Sequence, residues 1–351
     1  MKLLFIPHVP NLNVINRVYE FAKNSDSYFL SWDIDNSSFF HKVRSQLRSL
    51  RYKQQGNIVQ IPLLFKPESL AVKFNTMMLN TLLDRLDIDA VVNANALLFD
   101  VKSIKVPVVY DLVDDHLEVN PDIGLSKKRI KKIEADIEAA KGVICVTEFV
   151  EQKAKRFNKN TVTVENGLYL DRFKNAKSLK KELGFEGKKV FGYIGGVDSW
   201  TGLQKACESY MKIKDPTNAF IVVGGSESAY YQNLYKEYAD DILFVGKVDP
   251  QSVPAYFKTL DIGLIPFELN AFTNNALPIK ALEYSLAGAS VIATPLQYLQ
   301  YKNYPFVKFC NIDTFMQCMA DQKLEFEFDF SKLDWKYLAE DVINFIEDRC
   351  L

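Results

Sequence analysis

The chain has 351 residues, 48% of them hydrophobic and 25% charged, and its net charge is −1. A chain this long can build two domains with a core each, and the even mixture of charge gives nucleic acid no concentrated basic face. Five cysteines without CxxC or CxxH spacing exclude a structural zinc site and suit a reducing compartment, and no stretch reaches the ~18 apolar residues of a membrane span.

The opening MKLLFIPHVPNLN has an apolar run too short for a signal peptide and reads as a first buried strand, residues 3–7. His8, Asn11 and Arg17 follow it, where an α/β domain places a ligand loop. A second strand is expected at 28–32. Residues 40–55, FHKVRSQLRSLRYKQQ, set five basic residues around Val43, Leu47 and Leu50 at helical spacing. Such a helix either shows a solvated face or lies on an anionic membrane, and a second basic cluster at 127–132 bears on the same choice. Next come a strand at 57–65, a helix at 69–86 with Met77 and Met78 in its core, and strands at 89–94 and 106–112. Asp111, Asp114, Asp115 and His116 gather at the end of the last strand, as catalytic candidates or as helix caps. A helix at 127–141, a strand at 142–147, a helix at 148–157 and a short strand at 161–164 complete the first half.

A lysine-rich run from 174 reads as a linker. Strand 189–194 is followed at once by Gly195 and Gly196, which admit a phosphate close to the backbone. Strands at 219–225 and 242–245 precede Lys247, and a helix at 254–260 leads into DIGLIPFELNAFTNNALPIKALEYSLAGASVIATP at 261–295. That block reads as strand, polar loop, helix and strand, a βαβ unit with proline opening the helix and glycine closing it. Lys280 and Glu283 share one face near the helix start. The lysine suits a diphosphate, together with Lys247 and the amides around Thr273, Asn274 and Asn275, whereas the carboxylate suits ribose hydroxyls. A strand at 306–311, a helix from 313 and an amphipathic helix at 335–346 close the chain. Neither GxGxxG nor GxxxxGK[ST] occurs, so dinucleotide-fingerprint and P-loop chemistry are excluded.

The 261–295 block resembles the nucleotide-binding signature of the retaining "group 1" glycosyltransferases of GT-B fold. VVYDLVDD at 108–115, VTE at 146–148, VENGLYLDRF at 164–173, FGYIGGVDSW at 191–200 and FVGKVDP at 244–250 agree with it. The resemblance implies two Rossmann-like, doubly wound α/β domains facing across a cleft. These would be an acceptor-binding domain at 1–173, a linker at 174–188, a nucleotide-sugar-binding domain at 189–330, and a final helix at 331–351 returning to the first domain.

It also implies Glu283 as the ribose ligand, Lys280 as the phosphate-side cation, Gly195 and Gly196 as the donor-phosphate loop, and His8, Asn11 and Arg17 as acceptor-side residues. The first glutamate of the family's E-x7-E pattern falls on Asn275, and its usual histidine on Val113. Asp114, with Asp111 and His116, is left as the catalytic candidate. The implied partners are a UDP- or GDP-sugar donor and a glycan or lipid-linked acceptor, with no metal, cofactor or nucleic acid. In such retaining enzymes the leaving diphosphate helps take the acceptor proton. A cytoplasmic location is expected, at the inner face of the membrane if the basic helices meet lipid. A sugar-nucleotide epimerase of the same fold and a non-catalytic carbohydrate-binding relative are the alternatives.

Overall fold

The computed structural model describes residues 1–8, 17–32, 51–118, 126–225, 228–315, 318 and 324–351. They divide into two compact units: unit 1 comprises Met1–Gly167 and Leu333–Leu351, and unit 2 comprises Leu168–Lys332.

In unit 1, short apolar runs bounded by polar turns form β1 (Leu3–Ile6), β2 (Tyr28–Leu30), β3 (Lys53–Gln55), β4 (Ile58–Gln60), β5 (Ala90–Asn93), β6 (Val108–Leu112), β7 (Gly142–Cys145) and β8 (Thr161–Thr163). Their order is β3-β4-β2-β1-β5-β6-β7-β8, parallel except for the antiparallel β3–β4 pair. Every residue of β1, β5, β6 and β7 is buried, as in a parallel sheet covered on both faces. The covering helices are α1 (Arg17–Asn24), α2 (Glu68–Leu86), α3 (Lys127–Ala139) and α4 (Glu148–Ala154). Ser126 and Thr147 cap α3 and α4 by accepting from the amides of Arg129 and Val150. The C-terminal helix, Trp335–Arg349, belongs to this unit: Trp335 meets Phe21 of α1 edge-to-face at 5.6 Å, and Phe345 and Cys350 occupy the space a side chain at Gly142 would need.

Unit 2 opens with α5 (Leu170–Lys174) and continues with β9 (Lys189–Ile194), α6 (Leu203–Ile213), β10 (Asn218–Val223), α7 (Ala229–Tyr238) and β11 (Leu243–Gly246). Then follow α8 (Val253–Thr259), β12 (Ile262–Ile265), α9 (Ala271–Asn275), α10 (Ile279–Leu286), β13 (Ser290–Ala293), α11 (Gln297–Lys302) and β14 (Val307–Phe309). The sheet is parallel with order β11-β10-β9-β12-β13-β14. Strand order therefore reverses between β9 and β12, the doubly wound arrangement. In unit 1 the same reversal falls between β1 and β5.

Several expectations need correction. Lys53–Gln55 is strand, not the end of a basic helix, because Gly56 at φ 58° turns the chain back and pairs Gln55 with Ile58. The rest of that expected helix, 40–50, lies outside the described residues. Met77 is 54% exposed, since Leu79, Leu82 and Leu83 hold the buried face of α2 and Met77 lies opposite. The supposed polar loop after β12 contains α9, nucleated by a capping box in which Asn270 and Thr273 bond each other's backbone. Residues 174–188 belong to unit 2 rather than standing free: the Leu179 amide donates to Thr259 Oγ1 at 2.8 Å, and Lys180 pairs with Asp261 at 2.6 Å. Cys310 is paired with Cys318, and Cys145, Cys207 and Cys350 are buried thiols.

Candidate functional site

In unit 2 the strand order reverses between β9 and β12, and sheets of this kind take ligands beyond the carboxyl ends of the strands at such a point. Gly195 follows β9 at φ 149°, and a side chain there would overlap the Lys280 side chain, whose Nζ lies 2.7 Å from the position of that missing Cβ. The lysine of α10 therefore lies directly on the backbone of the first glycine of the loop. Tyr284, one turn further along α10, fixes this arrangement. Its hydroxyl accepts from the Ile194 amide at 2.9 Å and points at the Leu264 carbonyl at 3.5 Å. Gly263 on β12 has no room for a side chain because the Tyr284 ring fills it. The loop after Gly195 is held as well: Tyr193 donates to the Gly196 carbonyl at 2.6 Å, and the Glu268 amide donates to the Trp200 carbonyl at 3.0 Å.

Lys280 and Glu283 are both half-buried, and among the described residues no ion pair joins them. Burial pushes the Lys280 ammonium below its ordinary range, and Glu283 offsets part of that shift. Burial likewise pushes the Glu283 carboxyl up, against the charges of Lys280 and Arg172. Each group is thus held in a place that disfavours its own charge, with no ion-pair partner among the described residues. An anion beside Lys280 and hydroxyl donors beside Glu283 would relieve both.

Other residues expected here are placed differently. Thr273 is buried: its hydroxyl donates to the Glu268 carbonyl at 2.6 Å, and its amide donates to Asn270 Oδ1 at 2.9 Å. Asn274 accepts from the Gln297 amide at 3.3 Å, and Asn275 donates to the Ala271 carbonyl at 3.0 Å. These three build α9 and tie it to α11. Lys247 follows β11 and is exposed. Gly196 is open, with nothing near the direction a side chain would take.

In unit 1, Arg17 and Asp111 form a buried ion pair at 3.2 Å. Arg17 also donates to the Val164 carbonyl at 2.8 Å and to Asn166 Oδ1 at 3.3 Å, so it joins α1 to β6 and to the chain after β8. Burial pushes the Asp111 carboxyl up, opposed by Arg17. Asp115 is tied to Lys153 at 2.6 Å, and Lys153 reaches Glu118 at 2.8 Å. Asp114 differs: it is half-buried, and burial with the neighbouring Asp115 charge raises it to about 6 although Arg17 pulls the other way. His8 follows β1 and is lowered to about 4, first by burial and then by the charges of His116 and Arg17. Burial also lowers His116, against the pull of Asp115. Both imidazoles are therefore neutral near pH 7, and His8 Nδ1 is buried with no hydrogen-bond partner. His8, Arg17, Asp111, Asp114 and His116 thus come together, while Asn11 lies outside the described residues.

Two participants escaped the sequence reading. Tyr284 was visible only as the residue after Glu283, and its role depends on a glycine in β12 that admits the ring. Arg172, at the start of unit 2, stacks its guanidinium on Tyr169 at 3.7 Å and acts on Glu283 through its charge. Among the described residues no group of His, Cys, Asp and Glu is arranged to hold a metal.

Comparison with known proteins bears on the family and the fold. The family profile described as "Glycosyl transferases group 1" matches residues 188–304. TuaH of Bacillus subtilis (strain 168), described as a putative teichuronic acid biosynthesis glycosyltransferase, is 27% identical over 217 residues, which cover 57% of this chain and 53% of TuaH. The chain thus spans about half the length of that relative. Among solved structures, Anabaena Alr3699/HepE in complex with UDP superposes with a TM-score of 0.66 at 16% identity, covering 98% of this chain and 95% of its own. Sucrose-phosphate synthase from Thermosynechococcus elongatus gives 0.70 at 13% identity, covering 99% and 98%. Residues 188–304 are a group 1 glycosyltransferase domain, and the chain that carries them has the GT-B fold.

Proposed function

We propose that the protein is a retaining glycosyltransferase that moves a sugar from a nucleoside-diphosphate sugar, with UDP or GDP as carrier, to a glycan or lipid-linked glycan. One observation carries this reading. Lys280 lies on the Gly195 backbone at the β9–β12 switch point while Glu283, on the same helix, has no ion-pair partner among the described residues. A diphosphate placed between the Gly195 loop and Lys280 receives a cation where charge builds up as the sugar leaves. Glu283, ionised, accepts hydrogen bonds from the ribose hydroxyls. The UDP bound to the fold-neighbour HepE supports a uridine carrier. On the acceptor side, His8, His116 and Asp114 are the groups that unit 1 offers, and the buried Arg17–Asp111 pair braces them.

The test is thermal denaturation with UDP, GDP, ADP and the corresponding sugar nucleotides. A ligand at about 100 times its Kd stabilises the chain by about 2.7 kcal/mol. UDP or GDP should therefore raise the Tm of the wild type and leave that of Lys280→Ala and Glu283→Ala unmoved. If no nucleotide shifts the wild type, the reading is wrong. Product formed from the donor alone, with no acceptor, would favour an epimerase instead.

No described helix is long and apolar enough to cross a membrane. Lys127 and Lys131, one turn apart on α3, are exposed, which supports peripheral contact with anionic lipid. Co-sedimentation with phosphatidylglycerol vesicles at low salt should be lost in Lys127→Glu/Lys131→Glu, and wild-type protein that stays in the supernatant removes the idea.

A further inference from the structure

The turn that follows the Gly195–Gly196 loop presents a tryptophan that the fold does not bury. Of the three tryptophans, Trp32 and Trp335 are 6% and 2% exposed, whereas Trp200 is 38% exposed. It sits in the single 3-10 turn Ser199–Thr201 between β9 and α6, four positions after Gly196. Val197, Thr201 and Leu203, all fully buried, take the packing positions around it. Among the described residues the indole meets one aromatic ring, Phe267, edge-to-face at 5.0 Å. The backbone beneath it is held from both sides. The Thr201 hydroxyl donates to the Asp198 carbonyl at 2.6 Å, and the Glu268 amide donates to the Trp200 carbonyl at 3.0 Å. Gly202, at φ 62°, lies so close to the Pro266 carbonyl that no side chain fits there.

The same bracing sets a carboxylate next to the turn. Glu268 is exposed, and among the described residues its side chain makes neither an ion pair nor a hydrogen bond. Leu269, which follows it, is 52% exposed. Trp200 and Glu268 thus stand on the two loops that leave β9 and β12, the strands between which the order reverses. Together they offer a flat apolar surface and an acceptor-only polar group. A further phosphate subsite is a poor match, because Glu268 would repel it. A ring with a C–H face and neighbouring hydroxyl donors suits both groups.

We propose that Trp200 and Glu268 hold the sugar of the donor, its C–H face against the indole and two adjacent hydroxyls donating to the carboxylate. The inference rests on the nucleotide-sugar reading above and adds sugar recognition from outside the Lys280–Glu283 helix. It also narrows the donor to neutral sugars, since a uronate would set a second carboxylate against Glu268.

The full chain carrying isotope-labelled tryptophan gives one indole N–H signal in NMR for each of its three tryptophans, and Trp200→Phe identifies that of Trp200. UDP-glucose, UDP-galactose, UDP-N-acetylglucosamine and GDP-mannose are titrated beside UDP and GDP. At least one sugar nucleotide should move the Trp200 signal to a position that its parent diphosphate does not reach. Trp200→Ala should weaken binding of that sugar nucleotide about tenfold, while its Tm and its affinity for the parent diphosphate stay at wild-type values. UDP-glucuronate should bind about tenfold more weakly than the preferred neutral donor, and Glu268→Gln should close that gap. A Trp200 signal that each sugar nucleotide leaves where its diphosphate does, or a Trp200→Ala variant that keeps full sugar-nucleotide affinity, overturns the proposal even where nucleotide binds normally. So does UDP-glucuronate bound as tightly as the neutral donors. A response to free monosaccharides in the presence of UDP, with none to the sugar nucleotides, assigns Trp200 to the acceptor and overturns it too. Wild-type protein that binds neither UDP nor GDP fails the broader reading, and this inference with it.

Discussion

The two units carry the same strand-order reversal, yet the charged residues beyond their strands do opposite things. In unit 2, Lys280 lies on the Gly195 backbone and Glu283 stands apart from it, so two charges are held without each other. In unit 1, Arg17 meets Asp111 at 3.2 Å and Lys153 meets Asp115 at 2.6 Å, so the charges are already matched. A carboxylate at the end of a parallel strand is therefore not by itself a sign of chemistry. The discriminating fact is whether its partner comes from the chain or has to be supplied by a ligand.

The sharpest way to break that contrast is to remove the unmatched charges. Lys280→Ala and Glu283→Ala should each lower transfer by about 100-fold or more, the scale of deleting one preorganised contact to developing charge. Their Tm without ligand should stay within about 2 °C of wild type, because neither side chain satisfies another residue. A variant that unfolds early while turning over normally would place Lys280 or Glu283 in the scaffold.

Matched charges predict the reverse. Arg17→Met leaves Asp111 buried and alone, along with the Val164 carbonyl that Arg17 now satisfies. Breaking such a pair costs about 3–5 kcal/mol, readable by urea denaturation. Nucleotide binding by the surviving folded fraction should be unaffected. If Arg17→Met keeps its stability and loses transfer, Arg17 touches the substrate and the bracing role is wrong.

What the sequence made legible follows the same division. The strands were readable because runs such as LLFI, VVYDL and IGLI are buried whole, and Lys280 with Glu283 was readable from spacing on a single helix. The hairpin at 53–60 was hidden by basic residues that suit a helix equally well, although Gly56 marks its turn. The helices Leu203–Ile213 and Ala229–Tyr238 leave a fainter signal, apolar positions at 203, 206, 207 and 210 in the first and a serine cap at 228 in the second. Pairings between distant segments were not readable at all. Arg17 and Asp111 are 94 positions apart, and nothing in either segment names the other. The Gly195–Lys280 contact is of the same kind, since it exists only once β9 and β12 are neighbours.

Asp114 lies between the two classes and gives the finest test. It neighbours the matched pairs of unit 1, but burial and Asp115 raise it to about 6. The unfolded chain would ionise the same carboxyl near pH 4. Between these values the folded state holds the proton more tightly, so the stability that Asp114 contributes is fully present below about pH 4 and is lost as pH rises through about 6. Above pH 6 an ionised Asp114 is a cost of folding, on the order of 1–3 kcal/mol. Asp114→Asn cannot ionise and escapes that cost. The variant should therefore match the wild type in urea midpoint at pH 4 and exceed it at pH 8. If Asp114 also takes part in transfer, as proposed above, transfer should fall in the same variant. If Asp114→Asn is instead less stable than wild type at both pH values, Asp114 makes a native contact of its own and belongs with Asp111 and Asp115 among the matched charges.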